Sequence, residues 1–540
     1  MESAEIARVA ATPLPEQISK ERDEPDPPSP FTTTKSELWA FYLYYIGNNG
    51  LSGYNLGPTQ FQNLLYLAGY DPRQPPFTAP CRGDTGCVLP FLGKTRDINS
   101  IVLLSNSLSL VIQVVLLLFI GAWADYGSWR PNITILFTLV AVGVAFAWLG
   151  VENSSKWQVS VVLYMMGLIT HQATCTFWTA AFPGLTRCLP EVQESARQTK
   201  EGSKTPEEHA KLESMFRNRI SNVSFALSSA GEAISLVMMV GILKAMKAGD
   251  STENNTKAYS VMIAFSGGIW LVCALPWFVL EKRRPGLTLP SGTSLLTIGF
   301  RQTYVAAWEC FRLKQTVLYL IFYFLMSGVL FTTVTLVFTL QNRWAIKFES
   351  DVFYPNVSSV ISYSTMEYTL MLILGLVSAA TGVYVYWVVQ RTYKISTKAM
   401  LSFNVFWILV MAAWGLVGIH TDKFGFKKLW EIWAFQVFYG FLVCPWYSYS
   451  QTMISEVSPL PQMFLFFAFF SVVGRSSTFI GELIGSAIIS ASGDNNNAPF
   501  AFTFAIGIMS TVFLYLIDVD KSRVECEQFL KAEANRQAFE

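Results

Sequence analysis

Long apolar runs dominate the chain, separated by short polar stretches. Runs of about 20 mostly apolar residues are long enough to cross the hydrocarbon as helices. Twelve are legible, at residues 37–61, 98–122, 131–150, 157–182, 218–243, 258–280, 316–340, 366–389, 399–419, 431–453, 465–490 and 499–517. The pattern predicts an all-α membrane protein. The first run is unusual, because YYIGNNGLSGYNLGPTQF puts Asn, Gly and Pro where uninterrupted apolar residues are expected. Read as one helix, Asn48, Ser52, Asn55, Thr59 and Gln62 recur at three- and four-residue spacing and form a polar stripe. Gly50, Gly53 and Gly57 form a small-residue stripe beside it. Hydrocarbon cannot satisfy amide side chains, so the stripe must face protein or a water-filled cavity. Packing between helices and lining of a cavity both satisfy that requirement.

Composition supports the membrane reading. Of the 540 residues 52% are hydrophobic and only 14% charged, against about 25% charged in soluble domains. A net charge of +1 gives no case for nucleic acid. Residues 1–35 contain no apolar run, which argues against a cleavable signal peptide, and they are expected to be a disordered tail. An even span count puts both tails on one side, and Lys and Arg concentrate in the loops of that side, which the positive-inside rule makes cytosolic. Acceptor triplets for N-glycosylation at Asn153, Asn254 and Asn356 fall on the other side. Those at Asn132 and Asn222 fall at cytosolic helix ends and read as chance matches. Cys81 and Cys87, in the outer stretch CRGDTGC, form either a disulfide or two free thiols. The other cysteines have no metal-ligand spacing, and no cofactor or metal is expected.

Two cytosolic segments carry helix signals. Thr205 and Glu208 in KTPEEHAKLESMFRNRI make a capping box with Pro206 at the first helical position, so a helix should start there and run toward the fifth span. The tail VDKSRVECEQFLKAEANRQAFE, within 518–540, reads as a further short helix. The fifth and eleventh spans also resemble each other. At one constant offset Ser221 matches Ser471, Gly231–Glu232 matches Gly481–Glu482, and Ile234 matches Ile484. Membrane spans rarely hold carboxylates, so two at matched depth suggest a repeat of six spans. The halves would be residues 36–280 and 316–517, joined by a cytosolic linker, 281–315. Repeated halves are a signature of secondary transporters.

The loop GAWADYGSWRP after the second span holds Gly121, Asp125 and Arg130 in the order of the major facilitator loop motif. An Asp there can cap a neighbouring helix N-terminus and latch one side shut. With FYLYYIGNNGLSGYN, AAFPGLTR, and YSYSQTMISEVSP running into FFAFFSVVGRSSTFIGELIG, the chain resembles the fungal autophagy-related protein 22-like family of the major facilitator superfamily. The resemblance implies two pseudo-symmetric six-helix bundles in the vacuole membrane and efflux of amino acids, leucine among them, after autophagic breakdown. It also implies that spans 1, 4 and 10 border a central cavity.

On that footing the substrate candidates are the first-span polar row, His171 in span 4, and Trp446, Tyr447 and Tyr449 in span 10. Glu232 and Glu482 are candidates for proton coupling. Alternatively, Arg475 or Arg219 neutralises them structurally. His171 is also readable as a hydrogen-bonded packing residue, and the aromatics as ordinary core. Two rival functions remain. One is transport of another small solute, at the vacuole or the plasma membrane. The other is an integral-membrane enzyme centred on His171, for which no HExxH, GxSxG or phosphate-cradling Gly loop is present.

Overall fold

The computed structural model describes residues 31–72, 81, 87–287, 312–348, 365–421, 423–459, 462–493 and 495–539. Most of the expected 1–35 tail, most of the 281–315 linker, and Asn356 lie outside the described residues.

Among the described residues the regular structure is helical apart from one short hairpin, β1 (Val88–Phe91) paired antiparallel with β2 (Lys94–Asp97). Its helices follow in order as α1 (Lys35–Gly47), α2 (Gly57–Ala68), α3 (Ile98–Ala124), α4 (Arg130–Ala147), α5 (Trp157–Thr179), α6 (Phe182–Arg187), α7 (Pro190–Lys200), α8 (Pro206–Ala245) and α9 (Thr252–Leu280). Then come α10 (Lys314–Phe348), α11 (Thr365–Tyr393), α12 (Thr397–Val417), α13 (Leu429–Phe438), α14 (Pro445–Val457), α15 (Met463–Ala491), α16 (Pro499–Leu516) and α17 (Val519–Phe539). Among the described residues nine helices are long and apolar enough to cross a membrane. The other three predicted spans are helical too. Two of them are interrupted by π-helical turns, Leu51–Leu56 between α1 and α2 and Tyr439–Val443 between α13 and α14. The third, α5, is continuous but polar along one stretch, with Thr170, His171, Gln172, Thr174 and Thr176 all buried.

Local chemistry sets the helix ends. Thr34, Asp97, Ser251 and Ser396 each cap a helix by accepting from a backbone N–H of its first turn. The capping box at Thr205 and Glu208 starts α8, which runs without interruption for 40 residues from the polar surface into the apolar layer. Outward faces are apolar, with Leu108, Val111 and Val115 of α3, Val272 and Val279 of α9, and Phe406 of α12 all exposed. Such a surface suits lipid and not water.

Residues on either side of the 281–315 stretch meet along two long contacts, α8 against α11 and α3 against α15. The described ends lie together. Thr33 bonds the carbonyl of Cys188, while α17 reaches the start of α10, where Glu525 accepts from the Gln315 N–H. We call this the terminal end.

Candidate functional site

The first span is not one helix, so the predicted single stripe needs correction. The Asn48 N–H closes α1 on the Tyr44 carbonyl, and Gly50 then adopts φ 91°, a left-handed conformation that glycine takes without steric cost. The Asn49 carboxamide accepts from Leu51 N–H, and the helix restarts as a π turn in which the Gly57 N–H reaches the Ser52 carbonyl. A wider turn changes which side chains share a face. Asn48 meets the Cys175 thiol at 3.6 Å, and Thr59 donates to the Asn55 carbonyl of its own helix. Ser52 lines a small cavity, Asn55 is exposed, and Gln62 is half-buried. The glutamine locked into the helix packing is Gln60, outside the predicted row, which donates to the Thr256 carbonyl and to Ser260. Gly53 and Gly57 also part company. A Cβ at Gly53 would meet the His171 ring at 2.9 Å, and one at Gly57 would meet the Ser52 carbonyl at 2.7 Å.

The π turn carries Tyr54 and Asn55 side by side toward different partners. The Tyr54 hydroxyl donates to Gln172 Oε1 of α5 at 2.6 Å. Arg475 Nε of α15 donates to the same oxygen at 2.5 Å, and its guanidinium lies over the Tyr54 ring at 4.2 Å. Asn55 Nδ2 donates to Glu232 Oε1 of α8 at 3.4 Å. Sequence reading missed Tyr54 and Gln172. Their signal was position, since each neighbours a flagged residue, Asn55 and His171.

The repeated residues make corresponding contacts. Gly231 lets α8 approach α1, where a Cβ would lie 2.5 Å from Ile46, and Gly481 lets α15 approach α10, where a Cβ would lie 2.3 Å from Thr332. Glu232 then faces the turn after α1, while Glu482, which is exposed, accepts from Thr335 of α10 at 3.5 Å. The serines match as well: Ser221 pairs with Ser448 of α14 at 2.9 Å, and Ser471 with Thr176 of α5 at 2.8 Å. Among the described residues no ion pair joins Arg475 or Arg219 to Glu232 or Glu482.

His171 packs edge-on to Tyr54 and Trp270, and its Nδ1 is buried without a hydrogen-bond partner. It borders a small cavity of about 20 Å³ with Ser52, Gly53 and Trp270, a volume that suits one water. Trp446 and Tyr449 are fully buried, Trp446 stacked on Tyr323 and Tyr449 bonded to Gln390. Tyr447 is half-buried, stacks on Phe225 and pairs with the Tyr439 hydroxyl at 2.8 Å.

The terminal end is closed. Asp125 accepts from the Phe464 and Leu465 N–H groups at the start of α15, each at 3.0 Å. Gly121 packs against Ala468, and Arg130 lies 5.3 Å over the Phe464 ring. Nearby, Ser214 and Thr397 both donate to Glu456, Asn218 donates to Thr397, and Arg217 donates to the Ser455 carbonyl. At the opposite end Cys81 and Cys87 form a disulfide, with Cα atoms 5.2 Å apart. Asn153 is exposed, with its carboxamide accepting from Ser155, and Asn254 is half-buried. Asn222 is fully buried.

A helical membrane protein with α3 latched onto the start of α15 is built like transporters of the major facilitator type. Solved structures agree on the fold. The proton:xylose symporter XylE superposes with TM-score 0.56 at 11% identity, over 89% of this chain and 95% of that one. The human organic anion transporter MFSD10 superposes with TM-score 0.53 at 15% identity, over 90% and 100%. The chain belongs to the family described as vacuole effluxer Atg22 like, whose model matches residues 33–527. Autophagy-related protein 22 of Pyricularia oryzae is 21% identical over 84% of this chain and 71% of its own length. That of Saccharomyces cerevisiae is 22% identical over 83% and 85%.

Proposed function

We propose that this transporter exports neutral, leucine-like amino acids from the vacuole lumen to the cytosol after autophagic degradation, by alternating access. Two six-helix halves, 36–280 and 316–517, rock against each other across twelve membrane crossings, with both termini cytosolic. On this reading the closed terminal end faces the cytosol, and transport requires it to open there while the other end closes. One observation carries the reading: the exposed Asn55 bonds Glu232 on the far side of a closed latch. Polar and acidic groups at such depth are costly unless they serve a pathway.

Breaking the first span frees backbone groups that can meet a substrate's ammonium, as discontinuous helices do in other transporters. Glu232 takes up a proton from an acidic lumen and gives it to the cytosol, which couples export to the proton gradient. The reading is of transport and not catalysis, which fits His171 lying shut between Tyr54, Gly53 and Trp270. The test is the vacuolar amino-acid profile of nitrogen-starved cells. Cells lacking the protein should retain leucine and other neutral amino acids in the vacuole; an unchanged profile refutes the proposal.

A further inference from the structure

We propose that Arg475 is the anchor for the carboxylate of the transported amino acid, and that carboxylate binding loosens a mid-depth tie between the halves. The inference deepens the transport reading above and rests on it.

Arg475 sits in the middle of α15, in a segment read as membrane-spanning. A cation there is normally paired or directed at a pathway. Among the described residues it pairs with no carboxylate, although Glu232 and Glu482 belong to the same region. Its Nε is held instead by a neutral amide oxygen, Gln172 Oε1, and its face by the Tyr54 ring. Guanidinium carries five N–H donors in a planar fork matched to a carboxylate. A neutral amide on Nε leaves the terminal donors without an anion. A carboxylate offers what the amide lacks, a full negative charge and a second oxygen for two parallel bonds, so it can compete with the single guanidinium–amide bond.

The setting narrows the ligand. Tyr54 and Asn55 are consecutive, and the first holds the cation while the second holds the acid of Glu232. Opposite charges from α15 and α8 therefore converge on one π turn without pairing. A small zwitterion with both groups on one carbon offers a complementary charge to each. Asn55 is exposed and Arg475 half-buried, so the turn is not sealed inside the helix packing.

The same contacts tie the halves together. Gln172 Oε1 accepts from Tyr54 and from Arg475, which uses both lone pairs. Gln172 Nε2 donates to Thr176 at 3.3 Å, and Thr176 meets Ser471 of α15 at 2.8 Å. When a carboxylate draws Arg475 off Gln172, one of the two hydrogen bonds that link α5 to α15 here is lost, and the tie rests on Thr176–Ser471 alone. Substrate binding and loosening of the tie become one event, which is what alternating access requires.

The test uses the purified full chain in lipid nanodiscs and three probes: leucine, leucinol, which lacks the carboxylate, and 4-methylpentanoate, which lacks the ammonium. Wild type should bind leucine about 10- to 100-fold more tightly than leucinol, the range expected for one charged bidentate contact. Arg475→Gln should bind leucine as weakly as leucinol and leave leucinol affinity unchanged. Arg475→Lys, which keeps the charge without the fork, should fall between them and guards against a fold defect in the Gln variant. Gln172→Ala, which removes the competing acceptor, should bind leucine and 4-methylpentanoate more tightly. The proposal is overturned if Arg475→Gln or Arg475→Lys, folded as wild type by thermal melting, still prefers leucine over leucinol by the wild-type factor. In that case leucine binding by the wild type leaves the transport reading standing. If wild type binds none of the three probes, nor any other amino acid, both the transport reading and this proposal fall.

Discussion

The latch at the terminal end can be opened by one atom exchange, Asp125→Asn. Asp125 is buried and accepts from two backbone N–H groups at the start of a 29-residue helix. An asparagine keeps one oxygen and turns an NH₂ donor against the second N–H. The loss is one charge-assisted hydrogen bond, about 1.5–3 kcal/mol. Loss of the favourable contact with the helix dipole adds about 0.3–1 kcal/mol. A cost to the closed state of about 1.8–4 kcal/mol raises the ratio of open to closed molecules roughly 20- to 700-fold. Ser221→Cys supplies a reporter, because Ser221 is buried against Ser448 behind the latch. The background replaces Cys310 together with Cys175, Cys188, Cys273, Cys444 and Cys526, and keeps the Cys81–Cys87 disulfide. A membrane-impermeant maleimide added at the terminal side should label the reporter at least about 10-fold faster in the Asn variant. Equal labelling rates in two well-folded proteins would refute the latch.

Gly231→Ala and Gly481→Ala should each lower the melting midpoint, by about 1–3 kcal/mol of stability, since each Cβ would fall under 3 Å from a side chain of the neighbouring helix. A change at one site but not the other would contradict their equivalence. Glu431→Gln should be more damaging, at about 2–5 kcal/mol. Its carboxylate accepts from Trp414 Nε1 and from the backbone N–H groups of Gly425, Phe426, Lys427 and Lys428, and a carboxamide orphans two of these donors. Denaturation in detergent checks it, and unchanged stability would count against the geometry. Arg284→Ala should cost about 3–5 kcal/mol, because it strands the fully buried Glu37, which Arg284 holds with two bonds of 2.7 and 2.8 Å. Glu37→Gln with Arg284→Met should recover part of the loss in the same melting assay.

The sequence exposes those features that depend on one element at a time. Apolar runs, the Thr205–Glu208 capping box and the offset pairing Gly231–Glu232 with Gly481–Glu482 are local patterns, and each is visible again in the helices and their crossings. The polar row of span 1 could not survive as drawn, because its spacing assumed an α-helical period. Gly50 and the π turn widen that period and separate Asn48 from Asn55. Arg475 was legible as a buried charge, but not its partners, since Gln172 and Tyr54 lie far off in the chain and nothing local ties them to it. Glu431 gave no signal for the same reason: its five donors belong to a preceding loop and a tryptophan on another helix.

Counterflow of labelled leucine in proteoliposomes of the full chain tests the central claim most directly, with wild type compared against Asn55→Ala and Glu232→Gln. The account predicts leucine flux in wild type and a loss of about 10-fold or more in each variant, as one charged or buried polar contact warrants, with melting unchanged. Wild-type flux in both variants would contradict it.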